Sequence, residues 1–168
     1  MRQRFSAICL ALVMGISWAG VPAYAKPKPT LAEIEAAKQA EAAKKMIAAA
    51  EAKAVEIKRR MCIAICDESG NLLAFSRMDG GPVLSIDIAQ NKAWTSISFG
   101  VATHQWFDFI KDDPPLLHSI THTPRLVCFG GGYPIKIEKQ LVGGIGVSGG
   151  HWKEDMQVAE AGLAALNS

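Results

Sequence analysis

The sequence changes its pattern once, near residue 61, and this change constrains the fold more than any other feature. Residues 31–60 are rich in alanine, glutamate and lysine and contain neither glycine nor proline, so they favour one long helix. Thr30 and Glu33 match a capping box at the start of that helix. From residue 61 onward, short apolar runs alternate with glycine-containing turns, as in sheets of short strands.

The pattern after residue 60 predicts an α+β fold. Because its strand-like runs are joined by short turns, we expect them to pair antiparallel in a sheet flanked by helices. The five predicted strands cover residues 61–66, 71–78, 125–129, 133–138 and 140–147. Helices are predicted over residues 84–99, 105–110 and 152–166, with an irregular stretch around Pro114 and Pro115.

The first 25 residues have the features of an export signal. These are a basic start (Arg2, Arg4), an apolar stretch (8–21) and a small-x-small cleavage site (Ala23, Tyr24, Ala25). We predict a signal peptide cleaved after Ala25 and a periplasmic or secreted protein. Residues 26–42 would form a leader and the start of the long helix, and residues 43–168 one domain.

The charge balance argues against two classes of partner. The chain has 18 lysines and arginines against 16 acids, and removal of the signal takes away Arg2 and Arg4 but no acid, which leaves 16 of each. A neutral chain has no electrostatic preference for nucleic acid or for an anionic membrane. The apolar stretch is also too short for a stable membrane span, so we expect no span after signal removal.

Cysteines and glycines suggest packing rather than a cofactor motif. Cys62 and Cys66 would lie about 13 Å apart along a strand, too far for a disulfide or a shared zinc ion. Cys128 could pair with either, or all three could be small buried hydrophobic residues.

Residues 144–149 match GxGxxG, but a dinucleotide fold needs a further parallel strand, for which the sequence to Ser168 leaves no room. We interpret these glycines as sites where the strand bends and the C-terminal helix packs closely. A second interpretation is that the amides of residues 148–151 bind an anionic group.

The four histidines, His104, His118, His122 and His151, lie outside the predicted strands. His118 and His122 are four residues apart, which places both imidazoles on one side of a helix, so they are the candidate metal ligands. No HExxH motif or matching third carboxylate accompanies them, which argues against a catalytic zinc site. A single neutral imidazole in an apolar cleft would suffice as the axial ligand of a planar metal macrocycle. His151 would stay neutral at a helix N-terminus.

Two other clusters allow alternative interpretations. Trp106, Phe107 and Phe109 suit either the core or the wall of an apolar ligand pocket beside His104. The charged residues around the predicted hairpin could be an acid/base set or an ion-pair network: Asp67, Arg77, Asp79, Asp87 and Lys92. No nucleophile elbow is present, so catalytic residues stay unassigned and enzymatic activity stays open.

Four motifs in order give the chain a family resemblance: CDESGNLLAFSRMDG at 66–80, SIDIA at 85–89, GGGYPI at 130–135 and VGGIGVSG at 142–149. With them the chain resembles the GlcG/HbpS haem-binding family, which is similar to the C-terminal domain of PduO-type proteins. The resemblance implies a profilin-like domain that forms homo-oligomers and binds haem or a corrinoid outside the cytoplasm. It also implies a role in haem sensing, storage or breakdown.

The resemblance leads us to predict an exported haem-binding protein. Relatives can carry a haem-ligating histidine in the first long helix, but residues 31–60 contain none. The predicted iron ligand is therefore His118, His122 or His104, in that order. Trp106 would contact the ring, and Arg125 or Lys111 would pair with the propionates.

Two other functions stay open at this point. One is an enzyme that acts on a small organic metabolite through Asp67, Arg77, Asp79 and Lys92. The other is a sensory or partner-binding module without a cofactor, which would dock another protein through the long helix.

Overall fold

The computed structural model describes residues 29–167, so the predicted signal peptide and the first residues of the predicted leader lie outside the described part. Helix α1 spans Leu31–Glu56 and begins at the predicted capping box. The Thr30 hydroxyl accepts a hydrogen bond from the Glu33 N–H at 3.3 Å, and the Glu33 carboxylate accepts one from the Thr30 N–H at 2.7 Å. The helix ends before residue 60, and Lys58, with φ of 57°, redirects the chain.

The remaining elements follow the predicted order closely. Helices α2 (Leu84–Phe99) and α3 (Gln105–Ile110) have the predicted bounds. The others are β1 (Cys62–Asp67), β2 (Leu72–Arg77), α4 (Pro114–Ser119), β3 (Gly132–Ile137), β4 (Gln140–Ser148) and α5 (Trp152–Ala164), with 3-10 turns at Ile120–His122 and Ala165–Asn167. Among residues 29–167, no helix combines the length and apolar character needed to cross a bilayer.

The sheet has the strand order β2-β1-β4-β3, and each neighbouring pair is antiparallel. Its central strand β1 is buried on both faces. Ile63 and Ile65 belong to the core shared with α1 and α5, whereas Cys62, Ala64 and Cys66 pack against α2. Helices therefore cover both faces of the sheet, and the predicted α+β class is confirmed.

The prediction of a fifth strand over residues 125–129 is wrong, because this segment is bonded to a helix. Arg125 has φ of 70°, which an extended strand does not accommodate. The Thr95 hydroxyl of α2 donates to the Arg125 carbonyl oxygen at 2.9 Å and accepts from the Val127 N–H at 3.1 Å. The described sheet accordingly has four strands.

The stretch around Pro114, predicted as irregular, contains helix α4. Asp113 caps this helix, since its carboxylate accepts a hydrogen bond from the Leu116 N–H at 3.2 Å. Pro114 and Pro115 occupy the first turn, where a missing N–H removes no helical hydrogen bond.

Two glycines of β4 allow α2 to lie directly on the sheet. A Cβ atom at Gly146 would lie 2.0 Å from the Ala89 carbonyl oxygen, and one at Gly144 would lie 2.4 Å from that of Ala93. The sequence interpretation assigned this close packing to the C-terminal helix, but α2 occupies the space. Helix α5 approaches the sheet through its own Gly162, where a Cβ would lie 2.7 Å from the Ile145 side chain.

Candidate functional site

A cleft of about 420 Å³ opens beside the start of α3, and its size is typical of a small-molecule site. We call residues 128–130 its loop wall, and His104, Phe107 and Asp108 its helix wall; Trp152, the first residue of α5, completes the lining. The Phe107 side chain is 55% exposed and that of Phe129 is 44% exposed. Aromatic rings from three separate parts of the chain therefore converge on one imidazole.

His104 is half-buried at the N-terminus of α3, and its side chain does not cap that helix. Its ring lies 5.7 Å from the Tyr133 ring, centroid to centroid. Its Nδ1 atom is buried and has no hydrogen-bond partner among the described residues. The imidazole is thus not committed to a protein hydrogen bond through Nδ1.

A buried ion pair lies behind the loop wall. The Lys92 ammonium is 0% exposed and donates to the Asp155 carboxylate at 2.6 Å and to the Val147 carbonyl oxygen at 2.8 Å. The Lys92 Nζ atom is also 4.6 Å from the centre of the Phe129 ring. Burial lowers the pKa of Lys92 and raises that of Asp155, and the attraction between the two charges opposes both shifts. The buried ammonium thereby packs against the face of the Phe129 ring.

The predicted aromatic run is divided between two clefts. Phe107 lines the His104 cleft, whereas Trp106 and Phe109 line a second cleft of about 340 Å³ together with Phe99. Trp106 is 4% exposed and meets the Phe99 ring edge-on at 4.7 Å. Its Nε1 atom is buried without a partner among the described residues. Trp106 is therefore next to His104 in sequence but faces another cavity.

The two histidines predicted as metal ligands lie elsewhere. His118 is in α4 and His122 in the following 3-10 turn, and both side chains are exposed. Both lie apart from the residues that line the His104 cleft. Within residues 29–167, no group of three or more histidines, cysteines, aspartates or glutamates could hold a metal ion.

Two lysines contact residues that line the cleft, and one of them was predicted. Lys111 pairs with Asp108 of the helix wall at 2.8 Å, and this partner lowers the pKa of Asp108. Lys153, which sequence reasoning missed, lies 5.4 Å from the centre of the Trp152 ring. The predicted Arg125 instead stacks on Trp94 at 4.7 Å and reaches Asn91 at 3.3 Å, both in α2.

The charged residues predicted as a possible catalytic cluster are not brought together. Asp67 caps its own hairpin turn by accepting from the Ser69 and Asn71 N–H groups. Arg77 lies opposite Cys62 in the strand register, at the other end of β1 and about 16 Å along the strand from Asp67. Its guanidinium donates to the Gly81 carbonyl oxygen. Lys92 is sealed in the interior with Asp155.

The remaining members of that cluster lie elsewhere. Asp79 offers its backbone carbonyl oxygen to Arg60, and Asp87 is exposed in the first turn of α2. The hypothesis of a joint acid/base site loses its geometric basis.

Two of the four amides proposed as an anion site, those of Gly150 and His151, are already used by α5. The Gly150 N–H donates to Asp155 at 3.0 Å, and the His151 N–H donates to Glu154 at 2.9 Å. The His151 Nδ1 atom accepts from the Lys153 N–H at 3.3 Å, so this imidazole serves as a helix cap. Acidic side chains of α5 thus accept the hydrogen bonds that a bound anion would have accepted.

All three described cysteines are free, which decides between the two predicted alternatives. Cys62 and Cys66 are buried, and burial raises the pKa of the Cys66 thiol to about 11. Cys128 is half-buried in the loop wall, and burial raises its pKa as well. Protonated thiols are weak nucleophiles, so none of the three is activated.

Sequence reasoning missed five residues that line the cleft: Asp108, Cys128, Phe129, Gly130 and Trp152. Cys128 and Phe129 belong to the segment that was taken for a strand, and Trp152 begins the predicted helix over residues 152–166. The run of three glycines at 130–132 was available as a signal, because it permits close approach of other groups. A Cβ at Gly130 would lie 2.8 Å from the Trp152 ring.

Comparison with known proteins identifies relatives over most of the chain. Residues 39–164 match the family model described as haem degrading protein HbpS-like. An uncharacterised 15.0 kDa protein of Citrobacter freundii is 40% identical over 123 residues, which cover 73% of this chain and 87% of that protein. The corrinoid adenosyltransferase PduO of the same organism is 35% identical over 71% of this chain, but this match spans only 36% of PduO.

Solved structures share the fold. The structure of HbpS superposes with a TM-score of 0.69 at 33% identity, covering 76% of this chain and 88% of that one. A structure described as a complex of PduOC with haem has a TM-score of 0.69 at 29% identity, covering 76% of this chain and 93% of that one.

Proposed function

The chain belongs to the HbpS-like family, and on that premise we propose that it binds haem or a related tetrapyrrole in the cleft lined by His104. The observation that carries the proposal is a half-buried imidazole in a cleft walled by Phe107, Phe129 and Trp152. A haem needs flat apolar surface for its ring and one neutral nitrogen for its iron. The PduOC structure, described as a haem complex, supports the ligand class.

His104 is the iron ligand that we propose, in preference to His118 and His122. Its Nδ1 atom is buried, so Nε2 is the nitrogen that we propose for the iron. Bound haem would supply an iron centre with an open coordination position for this imidazole. His118 and His122 are exposed, and neither of them lines the cleft.

The rim of the cleft can accommodate the two propionates of a haem. Lys111 and Lys153 provide two ammonium groups, one beside Asp108 and one beside Trp152. A carboxylate that leaves an apolar cleft is stabilised by a cation at the rim. In this arrangement Lys111 would exchange its exposed partner Asp108 for a propionate. Arg125, bonded to α2, is a less suitable partner than Lys153.

The wider role rests on the family and on residues outside the described part. We propose export to the periplasm or beyond, as residues 1–25 predict, and a role in haem sensing, storage or breakdown; the family description names degradation.

We also propose a homo-oligomer in which the exposed Phe99 and Phe109 of the second cleft face another copy. The profilin-like label stays a prediction. A corrinoid is the alternative ligand, because the PduO relative is a corrinoid adenosyltransferase.

Haemin titration of the purified protein tests the proposal. We expect a saturable Soret shift for the wild-type protein, and we expect His104→Ala to lose it. The double variant His118→Ala/His122→Ala is the matched control, since it removes two exposed imidazoles from the neighbouring segment, and it should bind haemin as the wild type does. A wild-type shift that survives in His104→Ala but disappears in the double variant would assign the iron to the α4 segment. Displacement of haemin by cobinamide would favour the corrinoid.

A further inference from the structure

Thr103, the residue before His104, is fastened to the start of β3 by three hydrogen bonds. Its N–H donates to the Gly132 carbonyl oxygen at 2.9 Å, and its hydroxyl donates to the same oxygen at 3.4 Å. The hydroxyl also accepts from the Gly132 N–H at 2.9 Å. Thr103 is 0% exposed, and a Cβ at Gly132 would lie 2.6 Å from its methyl group. We call these three bonds the Thr103 clasp.

The clasp determines which rings meet next to it. In the chain, His104 follows Thr103 and Tyr133 follows Gly132. Because the clasp joins Thr103 to Gly132, it also brings His104 and Tyr133 together. The two rings lie 5.7 Å apart, at an angle of 55°. The Tyr133 hydroxyl in turn donates to Glu160 of α5. The imidazole therefore packs against a ring that a hydrogen bond to α5 holds in place.

We infer that Thr103 is a positioning residue that fixes the orientation of the His104 imidazole in the cleft, with Tyr133 as its support. This inference rests on the proposed function, since it gives the orientation a purpose. The His104 side chain makes no hydrogen bond that caps α3, and its Nδ1 atom has no hydrogen-bond partner among the described residues. Neither kind of bond therefore orients the imidazole. The clasp and ring packing supply the orientation instead.

The chain offers a matched control for this role. Thr95 is also 0% exposed, and its hydroxyl likewise donates to one carbonyl and accepts from one N–H, those of Arg125 and Val127. Thr95 fastens the first residues of the segment 125–132, whereas Thr103 fastens its last residue, Gly132. A purely structural role would therefore give Thr95→Val and Thr103→Val the same consequences.

The experiment compares Thr103→Val with Thr95→Val in two measurements. The first is haem-free: nitrogen-15 NMR of the imidazoles, with the His104 signals assigned by their loss in His104→Ala. We expect these signals to shift and broaden in Thr103→Val and to stay unchanged in Thr95→Val. The second is haemin affinity, which we expect to fall about tenfold or more in Thr103→Val, as for partners that orient metal ligands, and clearly less in Thr95→Val, which loosens the loop wall but leaves His104 in place.

Two further variants address loss of folding in Thr103→Val. Thr103→Ser keeps the hydroxyl and should retain the wild-type signals and affinity. Tyr133→Phe removes only the bond to Glu160 and should broaden the His104 signals. Equal changes in Thr95→Val and Thr103→Val, or loss of affinity in Thr103→Ser, would overturn the inference. Absence of haemin binding by the wild type would instead overturn the proposed function, while the NMR comparison would still decide whether Thr103 orients His104.

Discussion

The two walls of the cleft are held in place by different kinds of interaction. The loop wall, residues 128–130, lies between two segments fastened by the buried hydroxyls of Thr95 and Thr103, and Phe129 rests over the Lys92 ammonium. The helix wall continues into α4, where the bonds are local. They include the exposed ion pair of Lys111 with Asp108 and the cap that Asp113 makes to α4.

This difference indicates which wall can adapt to a ligand. A buried polar group loses much of its stabilising free energy when its partner moves, so the loop wall has one favoured arrangement. Local helical bonds move together with their helix, so the exposed Phe107 and Asp108 can adjust while the clasp holds His104. A flat ligand would then meet one fixed surface and one adjustable surface. Each of the following experiments could contradict this comparison.

The largest expected effect comes from breaking the ion pair behind the loop wall. Asp155→Ala leaves the Lys92 ammonium buried without its carboxylate, and we expect it to lower the free energy of unfolding by about 3–5 kcal/mol. The neighbouring Glu154→Ala removes a solvent-exposed pair with Arg59 and should lower the free energy of unfolding much less. Urea denaturation measures both. Equal losses would show that the interior pair is not what holds the loop wall.

Equivalent substitutions on the two walls should have unequal effects on stability. Phe129→Ala removes a ring that covers Lys92, and we expect a loss of about 1–2 kcal/mol. Phe107→Ala changes a ring that is 55% exposed, and we expect a loss of about 0.5 kcal/mol or less. Both variants should weaken haemin binding if the cleft is the site. A larger loss of stability from Phe107→Ala would reverse the assignment of fixed and adjustable walls.

The smallest effect concerns the exposed ion pair next to the buried one. The hydrogen bond from Arg59, together with that from the His151 N–H, holds the pKa of Glu154 below its usual 4.5. A carboxyl whose pKa is lower in the folded state stabilises the protein above its unfolded pKa, and this contribution disappears as the pH falls through the folded value. Glu154→Gln should therefore reduce the dependence of Tm on pH below about 4.5. An unchanged profile would show that Arg59 contributes nothing.

Elements with local signals were predicted well. The bounds of α2 follow from Pro82 before it and Gly100 after it, which adopts φ of 66°, and the Thr30 capping box marks the start of α1. Helix α4 was missed although its signals were local, because Pro114 and Pro115 were taken as breakers. With Asp113 before them, the same prolines mark a helix start.

Features that depend on distant partners were not predicted. Residues 125–129 have strand-like composition, but Thr95, thirty residues away, provides the bonds that a neighbouring strand would have made. Lys92 was grouped with nearby acids, whereas its partner Asp155 is 63 residues further along the chain.

The histidines of the candidate site show the same limitation. His104, His118 and His122 are close in sequence, but His104 lines the cleft and the other two lie on an exposed helical segment. Their closeness in sequence therefore did not predict that the fold separates them.

The contact between α2 and β4 has a consequence for how such proteins can diverge. Any side chain at position 146 would overlap the Ala89 carbonyl group, whichever molecule occupies the cleft. A randomised library selected for a new small-molecule specificity should therefore keep glycine at 146 while residues 107, 128, 129 and 152 vary. The scaffold and its binding preference are then under separate mutational constraints, and descendants could exchange one cargo for another without rebuilding the sheet.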